Sequence, residues 1–334
     1  MGPVSRTEVD ELVTLRDVAR AAGVSPATAS RALSAPGRVG AERRERVHEA
    51  AARLGYRAHQ GGAGRRIGVV VPDLTNPFFA GVVKAVGQRA HARGDVMLLA
   101  DTGEDPQLEA QQVTALAGHA DQLVLCSPRT DGPTLRTALT PRGPGDRAPR
   151  VVVVNRDDVG LRGVVVDNRD GATQALRHLH ALGHRRVAYA GGPPQSWSDR
   201  ERRHGLRTAA AAHGDVEVVD LGHFPGVAAG GVPAADLLVA SGATAVVAHN
   251  DLIALGVVDR LRARGVDVPG QVSVVGFDDV PAATQVSPAL TTVTVPLGVL
   301  GRTAVDLLDG GPEESVLVPV SLAVRASTGT VPGS

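Results

Sequence analysis

Aromatic side chains are nearly missing from this 334-residue chain: four Phe, two Tyr and one Trp make up 2% of it. Any core must be built from Val, Leu and Ala, and an apolar content of 43% is enough for sizeable ones. By length the chain holds about two or three domains. Cysteine occurs once, at Cys126, which excludes an intramolecular disulfide; Cys126 reads as a small buried hydrophobe at the end of a strand. Lysine also occurs once, at Lys84, so Arg carries nearly all the positive charge. No apolar run reaches the roughly 18–20 residues of a membrane span, and residues 1–13 are polar rather than a secretory leader. A soluble, cytoplasmic protein without a membrane partner is expected. There is no Gly-x-Ser-x-Gly elbow and no phosphate loop, and the adjacent Asp278 and Asp279 make no acid–nucleophile pair across a bond. His178, His180 and His184 cluster, but no acid or Cys joins them at ligand spacing. No catalytic residue, metal or cofactor is therefore expected.

The formal charge is zero overall, yet it is unevenly placed. Residues 1–66 hold twelve Arg against seven acids, a net +5, so the remainder carries −5. A basic head on an acidic body is the footprint of a nucleic-acid module. Within the head, Thr14 can cap a first helix whose apolar face is Leu15, Val18, Ala19 and Ala22. Gly23 supplies a sharp turn and Val24 fills its angle. Ser25 then caps a second helix, with Pro26 where a missing N–H costs nothing. This is the pattern of a helix-turn-helix, whose second helix enters the DNA major groove. A third helix runs from about Ala41 to Leu54, and the glycine-rich residues 58–66 form a short linker.

From Ile67 onward apolar runs alternate with helical stretches. Strands are expected at 67–73, 96–100, 121–126, 150–154, 163–166, 186–190, 216–221, 244–248 and 272–277. Helices are expected at about 78–93, 105–118, 169–182, 200–212, 227–240 and 251–264. The apolar stripe of helix 77–93 reads as sheet packing or as part of a dimer contact. Such alternation means parallel, doubly wound α/β sheets, and its length calls for two lobes. Ligands bind beyond the carboxyl ends of such strands. There the chain places Asp73 and Asn76, Asn155 and Arg156, Asp167 and Asn168, Gly191–Pro193, Asn250 and Asp251, and Asp278 and Asp279. Any single one reads more readily as a helix cap. Together they line a cleft suited to a hydroxyl-rich small molecule.

These residues resemble the LacI-type (lactose-repressor) family of bacterial transcription regulators, and the resemblance covers nearly the whole chain. In the head it rests on Leu15–Ala19, Gly23–Ser25, Ser30-Arg31, Arg43–Val47 and Leu54–Tyr56. In the body it rests on Ile67–Asp73, Asn76–Phe79, Val166–Asn168, Leu182–Val187, Asn250-Asp251, Val272–Asp279 and Pro288–Val293. The resemblance implies an all-α helix-turn-helix head (1–57) and a two-lobed, periplasmic-binding-protein-like body (67–330). Lobe 1 would be about 67–166 plus 293–318, and lobe 2 about 167–292 plus 319–330. It also implies a homodimer on double-stranded operator DNA, a sugar-like effector in the cleft, and repression under allosteric control. Carried over, DNA contacts fall on Thr14, Ser25, Pro26, Ala27, Thr28, Ser30, Arg31 and Tyr56. Effector contacts fall on Asp73, Asn76, Phe78, Asn155, Arg202, Asn250, Asp251 and Asp278. Trp197, the single Trp and set in a loop, joins them as a candidate for stacking on a sugar. One departure stands out. Residues 57–66 contain no Leu but have glycine at 61, 62 and 64, so a hinge helix that wedges into the minor groove is not expected. The competing reading is a cytoplasmic sugar-binding enzyme or ligand-binding protein without DNA function.

Overall fold

The computed structural model describes residues 15–34, 39–54, 64–141, 148–312 and 314–331. The chain divides into two compact units, residues 1–65 with 93–96 and residues 66–92 with 97–334.

In the first unit, α1 (Leu15–Ala21), α2 (Pro26–Ser34) and α3 (Ala41–Arg53) surround a small core. Val18, Ala19 and Ala22 meet Ala29 and Ala32 of α2 and Val47, Ala50 and Ala51 of α3. The expected spacing of apolar residues is what lets each short helix bury one face. Gly23 turns the chain at φ +65°, a conformation glycine adopts without steric cost. Ser25 Oγ accepts the Thr28 N–H at 3.2 Å, capping α2.

The second unit opens with β1 (Arg66–Val71), α4 (Pro77–Ala92), β2 (Val96–Asp101), α5 (Pro106–Ala117) and β3 (Gln122–Cys126). It continues with α6 (Gly132–Ala138), β4 (Arg150–Val154), β5 (Gly163–Val166), α7 (Asn168–Ala181), β6 (Arg186–Gly191) and α8 (Trp197–His213). Then come β7 (Glu217–His223), α9 (Ala228–Ser241), β8 (Ala245–Ala248), α10 (Asp251–Ala263), β9 (Ser273–Asp278), α11 (Ala282–Gln285) and β10 (Thr291–Thr294). The last elements are α12 (Leu297–Leu307), β11 (Val316–Val318) and β12 (Ser321–Ala323).

Two six-stranded sheets result, ordered β11-β5-β4-β3-β1-β2 and β12-β10-β9-β8-β6-β7. The chain passes between them after β5, after β10 and after β11, so three short segments join the lobes. Two of these segments touch, where the Asp167 N–H donates to Val318 O at 3.0 Å. Both sheets have their strand ends on the side where the lobes face each other, and that placement builds the site.

Several details depart from the expectations. The return to the first sheet follows Thr294 rather than residue 293, because β10 pairs with β9 in the second sheet. The second sheet is not wholly parallel: β12 runs antiparallel to β10 at its edge. Arg66, expected in the linker, is the first residue of β1; residues 55–63 of the linker region lie outside the described residues. The apolar stripe of α4 is used within the protomer. Phe79, Val82, Val83, Val86 and Ala90 are buried in the core that α12 completes with Leu300, Ala304 and Val305. Cys126 ends β3 fully buried, and burial pushes its thiol up to about 12.

Candidate functional site

On the head, the start of α2 is presented to solvent. Ser25, Pro26, Ala27 and Arg31 are exposed and Thr28 is half-buried. Ala27 and Arg31 are one helical turn apart on the same face, and the Arg31 Nε donates to Ala27 O at 3.1 Å. Thr28 Oγ1 and Ser25 Oγ lie 2.8 Å apart. Ser30 lies on α2 with a side chain outside the described residues, as are Thr14 and Tyr56 altogether.

In the body, a narrow cavity of about 20 Å³ opens between the two lobes. Lobe 1 contributes Asn76, Phe78, Phe79, Glu104, Ser127, Arg129 and Asn155. Lobe 2 contributes Pro193, Ser198, Arg202, Gly226, His249, Asn250 and Asp278. Phe78 and Phe79 make an edge-to-face pair with centroids 5.2 Å apart at the start of α4, where Asn76 Oδ1 accepts the Phe78 N–H at 3.0 Å.

Arg202 of α8 dominates the polar wall. Its Nε donates to Asn168 Oδ1 at 2.9 Å, and Nη1 donates to the His249 carbonyl. Nη2 lies 3.5 Å from Asp278 Oδ1, and the guanidinium stacks 3.5 Å above the Phe277 ring centre. Asn168 Nδ2 in turn donates to Asn155 Oδ1 at 2.8 Å, and Asn155 Nδ2 to Ser127 Oγ at 3.4 Å. One chain of hydrogen bonds therefore runs from lobe 1 through the crossover into lobe 2. Burial pushes the Asp278 carboxyl up to about 7, although Arg202 opposes the shift. Its Oδ1 is buried without a hydrogen bond.

The backbone is unusual at the same place. The non-glycine residues with positive φ among the described residues are Glu104, Ser127, Asn155, Asp278 and Asp279, and all but Asp279 line the cavity. Such conformations cost about 1–3 kcal/mol each and gather where side chains must be aimed.

Of the effector residues expected from sequence, the structure brings together Asn76, Phe78, Asn155, Arg202, Asn250 and Asp278. Three fall elsewhere. Asp73 accepts the Thr75 N–H and Oγ1 in a local turn. Asp251 lies fully buried beneath the cavity, accepting from Val280 N at 2.8 Å and Thr292 Oγ1 at 2.5 Å. Its carboxyl is pushed up by burial and then by Asp278. Trp197 begins α8 but lines a separate surface groove with Asp158, Glu201 and Leu317. Asn250 also caps α10, accepting from Ile253 N at 2.9 Å.

The sequence reading missed Phe79, Glu104, Ser127, Arg129, Ser198 and His249. Arg129 and Glu104 form a fork, with Nη2 to Oε1 at 2.8 Å, across 25 residues of sequence. The three clustered histidines separate in space: His178 meets Thr328, His180 meets Asp215, and His184 meets Thr244 and Ser273. No described residues group into a candidate metal site. No helix among them is long and apolar enough to cross a membrane.

Comparison with known proteins places this architecture. Residues 14–59 match the model of bacterial regulatory proteins, lacI family, and residues 176–328 match a periplasmic binding protein-like domain. The chain is 33% identical to the HTH-type transcriptional regulator GalR of Escherichia coli K12, over 89% of this chain and 88% of GalR. The chain belongs to the LacI family. This LacI-family protein is a DNA-binding transcriptional regulator with a helix-turn-helix head and a two-lobed body. It superposes on the lac repressor dimer bound to operator and the anti-inducer ONPF with TM-score 0.75 at 27% identity, covering 96% of this chain and 100% of that one. It superposes on the transcriptional regulator CelR–cellobiose complex with TM-score 0.70 at 31% identity, covering 94% and 99%.

Proposed function

We propose that this LacI-family regulator is a repressor that binds a near-palindromic operator as a homodimer and is released or recruited by a small sugar. The head, residues 1–57, grips DNA through α2. Arg31 is the polar reader of base edges, Pro26 and Ala27 pack against a base, and Ser25, Thr28 and Ser30 serve phosphates; Thr14 and Tyr56 are further DNA contacts carried over from the family pattern. The body, residues 67–330, senses the effector. Its relatives are transcriptional regulators, and the body is read in the same way, as a cytoplasmic effector sensor that releases the sugar unchanged.

The observation that carries the reading is the convergence of an edge-to-face aromatic pair, Phe78–Phe79, with Asn155, Arg202 and Asp278 in one cavity. An apolar ring face with a planar guanidinium and a carboxyl is what a pyranose presents partners for. The relatives point the same way: CelR is described with cellobiose, and the lac repressor with operator and ONPF. At about 20 Å³ the cavity is too small for a sugar ring, so the sugar enters as the lobes part. Effector binding is thereby tied to lobe closure, the variable that communicates with DNA affinity.

The test uses the full chain. A panel of mono- and disaccharides is screened by thermal shift, and each hit is added to a gel-shift titration on the promoter region of its own gene. One sugar should raise the melting temperature and change the DNA affinity. DNA binding should weaken steeply with salt, and Arg31→Ala should abolish preference for the operator over random duplex. DNA binding without any of these sensitivities, or turnover of the bound sugar, overturns the reading.

A further inference from the structure

His249 sits in the floor of the cleft, one residue past β8, and is 6% exposed. Its backbone is held on both sides: N–H donates to Ala190 O at 2.8 Å, and the carbonyl accepts from Arg202. Its ring lies so close to Gly192 that a Cβ there would fall 2.4 Å from Cδ2. The ring therefore has one place to be.

Nδ1 is buried without a hydrogen bond and faces Asp199 Oδ1 at 3.3 Å. Asp199 is 1% exposed. Oδ1 accepts from Tyr189 OH at 2.8 Å and Gly192 N at 2.6 Å, and Oδ2 accepts from Arg203 Nε at 2.9 Å. Burial alone would favour the protonated acid, but His249, Gly192 and Arg203 together hold this carboxyl well below the usual range. A carboxylate opposite Nδ1 attracts an N–H and repels a lone pair. The neutral ring therefore carries its proton on Nδ1 and leaves the lone pair on Nε2. Nε2 has no hydrogen-bond partner among the described residues and, unlike Nδ1, is not fully buried.

We propose that Asp199 fixes the tautomer of His249, so that Nε2 is a hydrogen-bond acceptor in the cleft and selects an effector with a hydroxyl at the position facing β8. This inference rests on reading the cleft as a sugar site. The chemistry calls for such a group. Arg129 and Arg202 only donate, and Asn250 already serves Ile253 N and Gly226 O. Asp278 Oδ1 is buried without a partner, and His249 Nε2 joins the carboxylates of Asp278 and Glu104 at the site as an acceptor for a hydroxyl proton. Burial pushes His249 down to about 4 against the opposing pull of Asp199, with Arg202 and Arg129 adding to the shift. The acceptor is thus present throughout the physiological range.

Two measurements on the full chain decide this. The first is a long-range proton–nitrogen correlation spectrum of protein labelled with ¹⁵N-histidine. His249 should be neutral and protonated on Nδ1 between about pH 6 and 8. A proton on Nε2, or an imidazolium in that range, overturns the proposal. The second takes whichever of D-glucose, D-galactose, D-ribose, maltose and cellobiose gives the largest thermal shift, and titrates it and its monodeoxy derivatives calorimetrically. One deoxy derivative should bind wild type about tenfold or more weakly. On His249→Phe, that derivative and the parent sugar should bind equally, both at the weakened level. Parent sugar binding His249→Phe as tightly as wild type overturns the proposal. If none of these sugars shifts the melting temperature, it is the sugar reading that falls, and the tautomer alone decides the Asp199–His249 pair.

Discussion

Asp278 is a carboxyl whose charged form its surroundings resist. The carboxyl is 5% exposed, at φ +111°, with Arg202 at 3.5 Å rather than in hydrogen-bond contact. Burial pushes it up to about 7 from an ordinary 3.8. The folded state thus keeps a proton that the unfolded chain has already released between about pH 4 and 7. Stability contributed by this proton is complete below pH 4 and is lost as pH rises through 7. Asp278→Asn cannot ionise, so its melting temperature relative to wild type should climb between pH 5 and pH 8. A difference that is flat, or that shrinks, in thermal unfolding across that range would contradict the assignment. The same residue shows what a single sequence can convey. Asp278 and Asn155 were legible because they stand at strand ends, whereas Arg202, inside α8, came only from the family resemblance. Asp73 and Asp251 stand at equivalent ends but serve local backbone groups, and nothing in their spacing separates a cap from a ligand contact. His249 and Arg129 were hidden for another reason: their partners, Asp199 and Glu104, are 50 and 25 residues away.

Elements were legible in proportion to how much of their stability is their own. β3, β4 and β9 hold the apolar runs Leu123–Cys126, Val151–Val154 and Val274–Phe277, buried along most of their length, and they read as strands directly. β11 and β12 are three residues each, half-exposed, and exist because a neighbouring strand offers an edge. α12 contains Gly298 and Gly301, which blur its period, yet a Cβ on Gly301 would fall 2.5 Å from Ala85 Cβ in α4. Close helix contacts recur between α9 and α10. A Cβ on Gly256 would lie 1.9 Å from Ala228 O, and one on Gly231 would lie 2.4 Å from Ile253 O. These backbones touch, so neither helix can yield without moving the other, and α10 is capped by Asn250 from the cleft wall. Gly256→Ala should cost about 2–3 kcal/mol through overpacking, measured by urea unfolding of the full chain, and should weaken effector binding by tilting Asn250. Unchanged stability would mean that the helices separate easily.

At the scale of the whole body, closure is carried by three crossover segments and one chain of side chains. Asn168 sits just after the first crossover, 2% exposed, and is the link. It donates to Asn155 of lobe 1 at 2.8 Å and accepts from Arg202 of lobe 2 at 2.9 Å. Asn155 and Arg202 both face the cavity, whereas Asn168 does not line it. Removing the Asn168 amide leaves both cleft groups in place but cuts the path by which a ligand on one lobe draws in the other. Allosteric coupling is a free energy, typically about 1–3 kcal/mol, set by the logarithm of the ratio of DNA affinities with and without effector. Asn168→Ala should still bind sugar, within about thirtyfold of wild type, since the two cross-lobe hydrogen bonds it loses are worth roughly 1 kcal/mol each. The ratio of operator affinities with and without saturating sugar should nevertheless fall toward one. The check is a pair of gel-shift titrations per protein, at zero and saturating sugar. Were the ratio to stay at its wild-type value, closure would be transmitted by the crossover backbones, with Asp167 N–H to Val318 O as the contact to alter next.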